Sequence, residues 1–363
     1  MPSASSAGAS EGGSVLRSIG ERISSLASTE KLEGFSLREF FSEVFKKREP
    51  NEIDEYFVVG TSRTTPSIED VPSNWPKPWF FFRVLMFLTL VYLGFYLALQ
   101  QFNNPKLIPG LIMMGSLAVP LATVILFFEL NVPRNISFNR VLMLVASGGI
   151  VSLFVALIGF SVSDLGWLGA SQAGIIEEIG KLLAVIIVAR SFKGKYILNG
   201  LLYGAAVGAG FAFFESAGYA FDFLEQSGKL DVMFTVIQLR ALLTPFGHVA
   251  WTAISAAALW RVRGGRPLQI QMLLNSSFLK TMLIPVLLHM IWDSPIDTPL
   301  DLHRIALGVV GWFVVFGLVQ QGLRQIRDEQ LQFFQANAMP HNVRSTQLVH
   351  AVMPISDGKV LEA

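Results

Sequence analysis

Eight apolar stretches, each long enough to cross a lipid bilayer, dominate this chain. A membrane-spanning helix needs about 20 apolar residues. Charged residues make up only 15% of the chain, against roughly 25% in soluble proteins. The sequence therefore predicts an all-α protein, a polytopic transmembrane helix bundle of about eight spans. The predicted spans are 80–99, 108–128, 141–163, 170–190, 197–221, 236–260, 276–292 and 303–323.

The segments between the predicted spans alternate in positive charge. Cations follow the second, fourth and sixth spans, and the remaining connections are poor in them. Because cytoplasmic loops carry an excess of Lys and Arg, this alternation predicts that both termini are cytoplasmic. The cations after the three spans are Arg134 and Arg140, then Arg190, Lys193 and Lys195, then Arg261, Arg263 and Arg266.

The two ends of the chain are more polar than its centre, and the sequence divides into five regions. We expect residues 1–34, rich in Ser, Gly, Ala and Glu, to form a disordered cytosolic lead. The next region, 35–57, is predicted to be an amphipathic helix that buries Phe40, Phe41 and Phe45 against a partner or the membrane surface. The others are a Pro-rich connector over 58–79, a membrane-embedded domain over 80–323, and a cytosolic tail over 324–363.

Two features of the composition exclude classes of function. A net charge of +1 gives no compositional reason to expect nucleic acid as a partner. The chain has no cysteine, which excludes a disulfide scaffold, a thiolate zinc site and a cysteine nucleophile.

Seven ionisable residues lie inside or at the ends of the apolar stretches. Such groups cost at least about 2.5–3.5 kcal/mol each near the bilayer centre, so each needs a reason to be there. With the predicted orientation, their helices bring them to the non-cytoplasmic half of the membrane. Independent packing contacts have no reason to share a depth, so we expect one site. The residues are Glu177, Glu178, Lys181, Glu215, His248, His289 and Asp293.

Local spacing supports inward-facing placement of these groups. Glu178 and Glu177 precede Lys181 by three and four residues, which puts them on one helix face. His289 and Asp293 are four apart, so Asp293 could orient the imidazole, cap the helix or face the outer loop. Near Glu215, glycines repeat every fourth residue in NGLLYGAAVGAG, which allows another helix to approach closely.

The sixth span has a second possible start, because Thr244 is followed by Pro245. Proline suits the first position of a helix after a threonine cap. In that case the preceding residues would lie at the outer interface, with Arg240 reaching the lipid head groups.

Two mechanisms of amide hydrolysis are open to such a set. His248 and His289 with Glu215 could hold Zn²⁺, with another glutamate as the base. Without metal, a buried glutamate could activate water directly while histidines stabilise the oxyanion. Either suits a peptide substrate that is part of a membrane-anchored protein. A proton or metal-ion transporter and a non-catalytic scaffold remain alternatives.

The ordered motifs IIEEIGK, GFAFFES, GHVAW and HMIWD, over about residues 170–293, resemble the PrsW family of polytopic bacterial intramembrane proteases. This family belongs to a superfamily with the CAAX endopeptidases and the Aph subunit of γ-secretase. The resemblance implies a protease of the bacterial cytoplasmic membrane that cleaves a membrane-anchored regulator, such as an anti-sigma factor, at its extracytoplasmic side.

The resemblance also assigns residues. It makes Glu177 or Glu178 the base, and Ser216 stands where the family motif has Asn. It leaves open whether a metal is used, and oligomeric state is not readable from the sequence. The residues that match the motifs are Glu177, Glu178, Lys181, Phe211, Glu215, His248, His289, Trp292 and Asp293.

Overall fold

The computed structural model describes residues 18–338, and every regular element in that range is helical. The prediction of an all-α protein is therefore confirmed for the described part of the chain. Three short helices come first: α1 (residues 18–26), α2 (Leu37–Phe40) and α3 (Pro50–Asp54). The longer helices are α4 (Phe80–Phe102), α5 (Ile108–Leu130), α6 (Phe138–Val162), α7 (Gln172–Ala189), α8 (Ile197–Ser227), α9 (Leu230–Leu243), α10 (His248–Arg263), α11 (Ser276–Trp292) and α12 (Leu302–Ala338).

Six segments within the described residues are long and apolar enough to cross a membrane. They are α4, α5 with the turn before it, α6, α8, the pair α9 and α10, and α12. Helix α7 also coincides with a predicted span, but three of its 18 residues are charged. Helix α11 has only 17 residues. The structure supports six candidate spans, and the predicted count of eight is not confirmed.

Helix α8 runs through the centre of the bundle and packs closely against α10. Gly200, Gly204 and Gly208 face that helix, and a side chain at Gly204 would collide with the backbone of Thr252. The predicted small-residue face therefore makes a close helix contact. Because α8 and α10 approach so closely, Glu215 near one end of the glycine row reaches the first residue of α10.

A buried carboxylate joins the segment before the bundle to its second helix. Glu129 of α5 accepts hydrogen bonds from the backbone N–H groups of Trp79, Phe80 and Phe81, at 2.7, 2.8 and 2.9 Å. It also accepts one from the Tyr56 hydroxyl at 2.8 Å. Burial and the Glu129 carboxylate raise the pKa of Tyr56, so its phenol keeps its proton and donates. Glu129 thus satisfies the free N–H groups at the start of α4.

Residues 18–34 pack against the bundle, which differs from the disordered lead expected for 1–34. Ala27 is fully buried, and its carbonyl accepts a hydrogen bond from Thr281 at 3.0 Å. The carbonyl of Ser28 accepts another from Arg261 at 2.8 Å. Backbone groups of this polar segment therefore meet side chains at helix ends, a contact that composition does not encode. Residues 1–17 lie outside the described range.

Residues 35–57 do not form the single amphipathic helix that the sequence predicts. Helix α2 ends at Phe40, and α3 begins only at Pro50, whose ring has no N–H to continue an earlier helix. Phe40 is buried as expected, but Phe41 is 40% exposed and Phe45 is 86% exposed. Phe40 therefore packs against Phe316 of the bundle, and the burial of Phe41 and Phe45 against a partner or the membrane surface stays a prediction.

Helix α12 extends beyond the boundary predicted at residue 324. It continues to Ala338, and its last turns pack on the region before the bundle, where Gln330 donates to the carbonyls of Ile68 and Val71 at 2.9 and 2.8 Å. The first part of the predicted tail is therefore a continuation of the last helix. Residues 339–363 lie outside the described range.

Candidate active site

Four helices bring the seven ionisable residues into one cluster. Glu177, Glu178 and Lys181 lie in the second and third turns of α7, and Glu215 lies past the midpoint of α8. His248 is the first residue of α10, while His289 lies one turn before the end of α11 and Asp293 follows that end. Residues up to 116 positions apart in the chain are therefore neighbours.

The Lys181 ammonium lies at the centre of the cluster. Its Nζ is 2.6 Å from Glu178 Oε1 and 3.6 Å from Glu177 Oε2. It is also 2.8 Å from Nδ1 of His248 and lies over the ring of Phe211, 4.5 Å from the centroid. The side chain is fully buried. The contacts predicted from the spacing in EExxK are present, together with a histidine contact from another helix.

Both ring nitrogens of His248 have partners. An ammonium can only donate, so Nδ1 accepts from Lys181, and Nε2 carries the hydrogen that is donated to Glu215 Oε2 at 2.9 Å. The carboxylate of Glu215 also contacts the guanidinium of Arg240. A chain of hydrogen bonds therefore runs from Arg240 through Glu215 and His248 to Lys181.

His289 is held between carboxylates. Its Nδ1 is 2.9 Å from Glu178 Oε1, and its Nε2 is 3.1 Å from Asp293 Oδ2. Two of the three roles open to Asp293 are seen in the structure: its carboxylate contacts the imidazole, and it is the C-cap residue of α11, where its N–H donates to the His289 carbonyl at 3.1 Å. Both nitrogens face carboxylate acceptors, so the ring can donate on both sides only as an imidazolium, which carries two N–H groups.

Arg240 is a member of the cluster that the sequence did not reveal. It was expected to reach the lipid head groups, but its Nε donates to the Ser216 hydroxyl at 3.0 Å and its Nη2 donates to the Glu215 carboxylate. The guanidinium also lies over the ring of Tyr219 at 4.4 Å. These three partners lie on one face of α8. One available signal was a single arginine in an apolar helix one turn before Thr244.

The chain breaks between α9 and α10 at the position that the sequence suggested. A short 3₁₀ turn covers Thr244–Phe246, and α10 starts at His248 after Gly247. Arg240 and His248 are therefore delivered by two helices that meet at this turn, and both line the same cavity.

Glu177 faces a cavity of about 490 Å³. Its Oε2 is buried and has no hydrogen-bond partner, with His289 Nε2 lying 3.9 Å away. Glu178, in contrast, is completely buried and does not line the cavity. Polar lining comes from Glu215, Arg240, His248, His289, Asp293 and Arg304, and apolar lining includes Phe160, Leu239 and Leu243.

A second missed residue, Trp251, supports both histidines. Its ring stacks on His289 at 4.5 Å and meets His248 edge-on at 5.4 Å. Trp292, which the motifs did predict, packs edge-on against Trp251 at 5.3 Å. The indole N–H of Trp251 is buried without a partner next to the cavity. Its position three residues after His248, on the same helix face, was the available signal.

The cluster can be tested directly as a metal site. Ligand atoms of Glu177, His248 and His289 lie within 4.8 Å of one another, and these residue types suit Zn²⁺. However, a metal ligand needs a free lone pair, and both nitrogens of each histidine already have partners. Glu215, the carboxylate expected from the sequence, is paired with Arg240 instead. In this arrangement the residues do not fit a bound metal.

The fold and the cluster together define a class: a helical membrane protein with buried acid–base groups around a cavity. A family model for the PrsW family of intramembrane metalloproteases matches residues 137–319, just over half of the 363-residue chain. The chain therefore belongs to the PrsW family of intramembrane proteases. No significant match was found among curated proteins or solved structures.

Proposed function

We propose that the protein hydrolyses a peptide bond of a membrane-anchored protein, near the extracytoplasmic face of the membrane. The observation that carries the proposal is the position of Glu177 in the cavity wall. Its Oε2 has an ion-pair contact with Lys181 at 3.6 Å but no hydrogen-bond donor. A buried carboxylate oxygen without a donor is costly. Glu178 Oε2 also lacks a donor, but of the two glutamates only Glu177 lines the cavity, so Glu177 is the carboxylate that can meet water or substrate.

Glu177 is the better candidate for the base, and Glu178 for a positioning residue. Glu177 lines the cavity and can meet a water molecule there. Glu178 instead holds Lys181 and His289 at 2.6 and 2.9 Å, from a position with no exposure. This division would explain why the motif needs two adjacent glutamates.

The reaction follows from these roles without a covalent intermediate. The Glu177 carboxylate takes a proton from water as the water oxygen attacks the peptide carbonyl carbon. Collapse of the tetrahedral intermediate breaks the C–N bond, and Glu177 returns the proton to the leaving nitrogen. The indole N–H of Trp251, a cavity-lining residue, has no hydrogen-bond partner and suits the developing oxyanion.

The packing of the loops supports the orientation that places the cavity outside. Cations of the three charged loops lie at the other end of the bundle, where Arg263 donates to the Phe192 carbonyl at 3.1 Å and Arg140 lies over the Phe192 ring at 5.2 Å. By the positive-inside rule that end is cytoplasmic. The location would then be a bacterial cytoplasmic membrane, and an anti-sigma factor remains the candidate substrate that the family suggests.

Comparison of protein N-termini in membranes tests the function. Cells would make the wild type, Glu177→Gln or the control Glu225→Gln, which changes an exposed carboxylate near the C-terminal end of α8. We expect new juxtamembrane N-termini with the wild type and the control, and none with Glu177→Gln.

Identical maps for all three proteins would contradict a protease and favour the transporter or scaffold alternatives, which flux measurements then separate. New N-termini deep in the cytosolic part of a substrate would contradict the orientation.

A further inference from the structure

A positive charge already occupies the place in this cluster where a metal ion would bind. The Lys181 ammonium lies within 3.6 Å of oxygens from both Glu177 and Glu178 and 2.8 Å from a nitrogen of His248. Carboxylates and imidazoles are both ligands that bind Zn²⁺ in proteins. Here they surround an amine that cannot leave, because it is part of α7.

The contacts of the lysine also remove the lone pairs that a metal needs. Nδ1 of His248 accepts from the ammonium, and the ring therefore turns its N–H toward Glu215. Oε1 of Glu178 accepts from both Lys181 and His289. A divalent ion would have to displace the ammonium, against the repulsion of its charge.

We propose that Lys181 replaces a metal ion in this protein: the wild type holds no catalytic metal, and loss of the ammonium creates a metal site. In Lys181→Ala, Nδ1 of His248, Oε1 of Glu178 and Oε2 of Glu177 lose their shared cation and become free for Zn²⁺. The inference concerns the cluster used in the proposed function but does not rest on peptide hydrolysis. It differs from the metalloprotease description of the family.

The first experiment measures metal content. Wild type, Lys181→Ala and Lys181→Arg would carry a tag without histidine, be purified in detergent with zinc present, and be freed of loose metal by gel filtration. We expect about one zinc ion per chain in Lys181→Ala and far less in the other two proteins. Lys280→Ala, at an exposed position on α11, is the matched control and should behave as the wild type.

A second readout is thermal unfolding in the presence of zinc. Because a ligand that binds only the folded state stabilises it, zinc should raise the melting temperature of Lys181→Ala and leave that of the wild type unchanged. Adding His248→Ala to Lys181→Ala should abolish the gain. This double variant separates binding in the cluster from binding elsewhere.

Stoichiometric zinc in the wild type would overturn the inference, and this measurement needs no variant to fold. A folded Lys181→Ala that binds no more zinc than the wild type would also overturn it. If cleavage of the substrate is detected, a chelator should leave it unchanged. Loss of cleavage in Glu177→Gln tests the proposed function instead, so the two ideas can fail separately.

Discussion

Two glutamates at opposite ends of the bundle are buried to the same extent but differ in their hydrogen bonding. Glu129 and Glu177 are each 8% exposed. Glu129 accepts four hydrogen bonds from the chain around it. Glu177 has one oxygen without a donor, beside a cavity. The difference separates a carboxylate that holds the fold together from one that is available for chemistry.

The energetic consequence is that the two ends are stabilised differently. Leaving a buried polar group unsatisfied costs about 1–3 kcal/mol. Glu129 avoids that cost and also satisfies N–H groups at the start of α4. Glu177 does not avoid it, so the rest of the cluster must compensate through Lys181 and the paired histidines. A substitution at Glu177 should therefore lower activity, and one at Glu129 should lower stability.

The largest expected effect is the loss of activity in Glu177→Gln. The amide cannot take a proton from water, and general-base catalysis is worth roughly 10²–10⁴ in rate. We expect a decrease of that size in cleavage of the substrate identified from new N-termini, with an unchanged melting temperature. A variant that stays active would remove Glu177 from the role of base.

Glu129→Gln should show the opposite pattern. In the wild type the backbone N–H groups at the start of α4 have a carboxylate oxygen as acceptor. In the variant the amide NH₂ group, which can only donate, would replace one of the two oxygens, so we expect a loss of about 3 kcal/mol in the free energy of unfolding. Thermal unfolding in detergent measures the loss, and the cleavage rate of the folded fraction should remain near that of the wild type. If cleavage stops while stability is unchanged, the structural role given to Glu129 is wrong.

The sequence revealed Glu177 but not Glu129, for a physical reason. Glu177 and its partners stand out because charged residues interrupt apolar stretches, and four short motifs preserve their order along the chain. Glu129 lies just after a predicted span that ended at 128, where a carboxylate needs no explanation. Its role depends on Tyr56 and on N–H groups 48–50 residues away, a contact visible only in three dimensions.

The same distinction applies to the rest of the molecule. Spacing predicted the EExxK contacts and the contact of His289 with Asp293, because these pairs lie on single helices. The partner of Arg240 could not be predicted, since Glu215 lies on another helix and the lipid head groups were an equally reasonable partner. Trp251 was missed because its spacing from His248 indicates a shared helix face but not that the indole stacks on His289 of another helix.

A smaller loss of stability is expected when Glu215 loses its cation partner. Glu215 combines features of both carboxylates, because it belongs to the cluster and is also neutralised by Arg240. In Arg240→Gln the carboxylate loses its cation, and we expect a loss of about 2 kcal/mol in the free energy of unfolding. Adding Glu215→Gln should restore most of it, because the uncompensated charge is what destabilises the fold.

Melting temperatures of the two single variants and the double variant test this coupling. Arg304→Gln is the matched control, since Arg304 also lines the cavity but pairs with Asp301 at 2.6 Å. Additive losses in the double variant would show that Arg240 and Glu215 act independently.

The last prediction concerns which end of the bundle faces the outside of the cell, and its substitutions should leave activity unchanged. The chain has no cysteine, so single substitutions report without background. Lys193→Cys lies at the end that contains Glu129, and Asp297→Cys lies beyond α11, at the end that contains Glu177. In intact cells an impermeant maleimide should label Asp297→Cys and spare Lys193→Cys until the membrane is opened. The reverse pattern would put the unsatisfied carboxylate on the cytoplasmic side, and the site of cleavage would move with it.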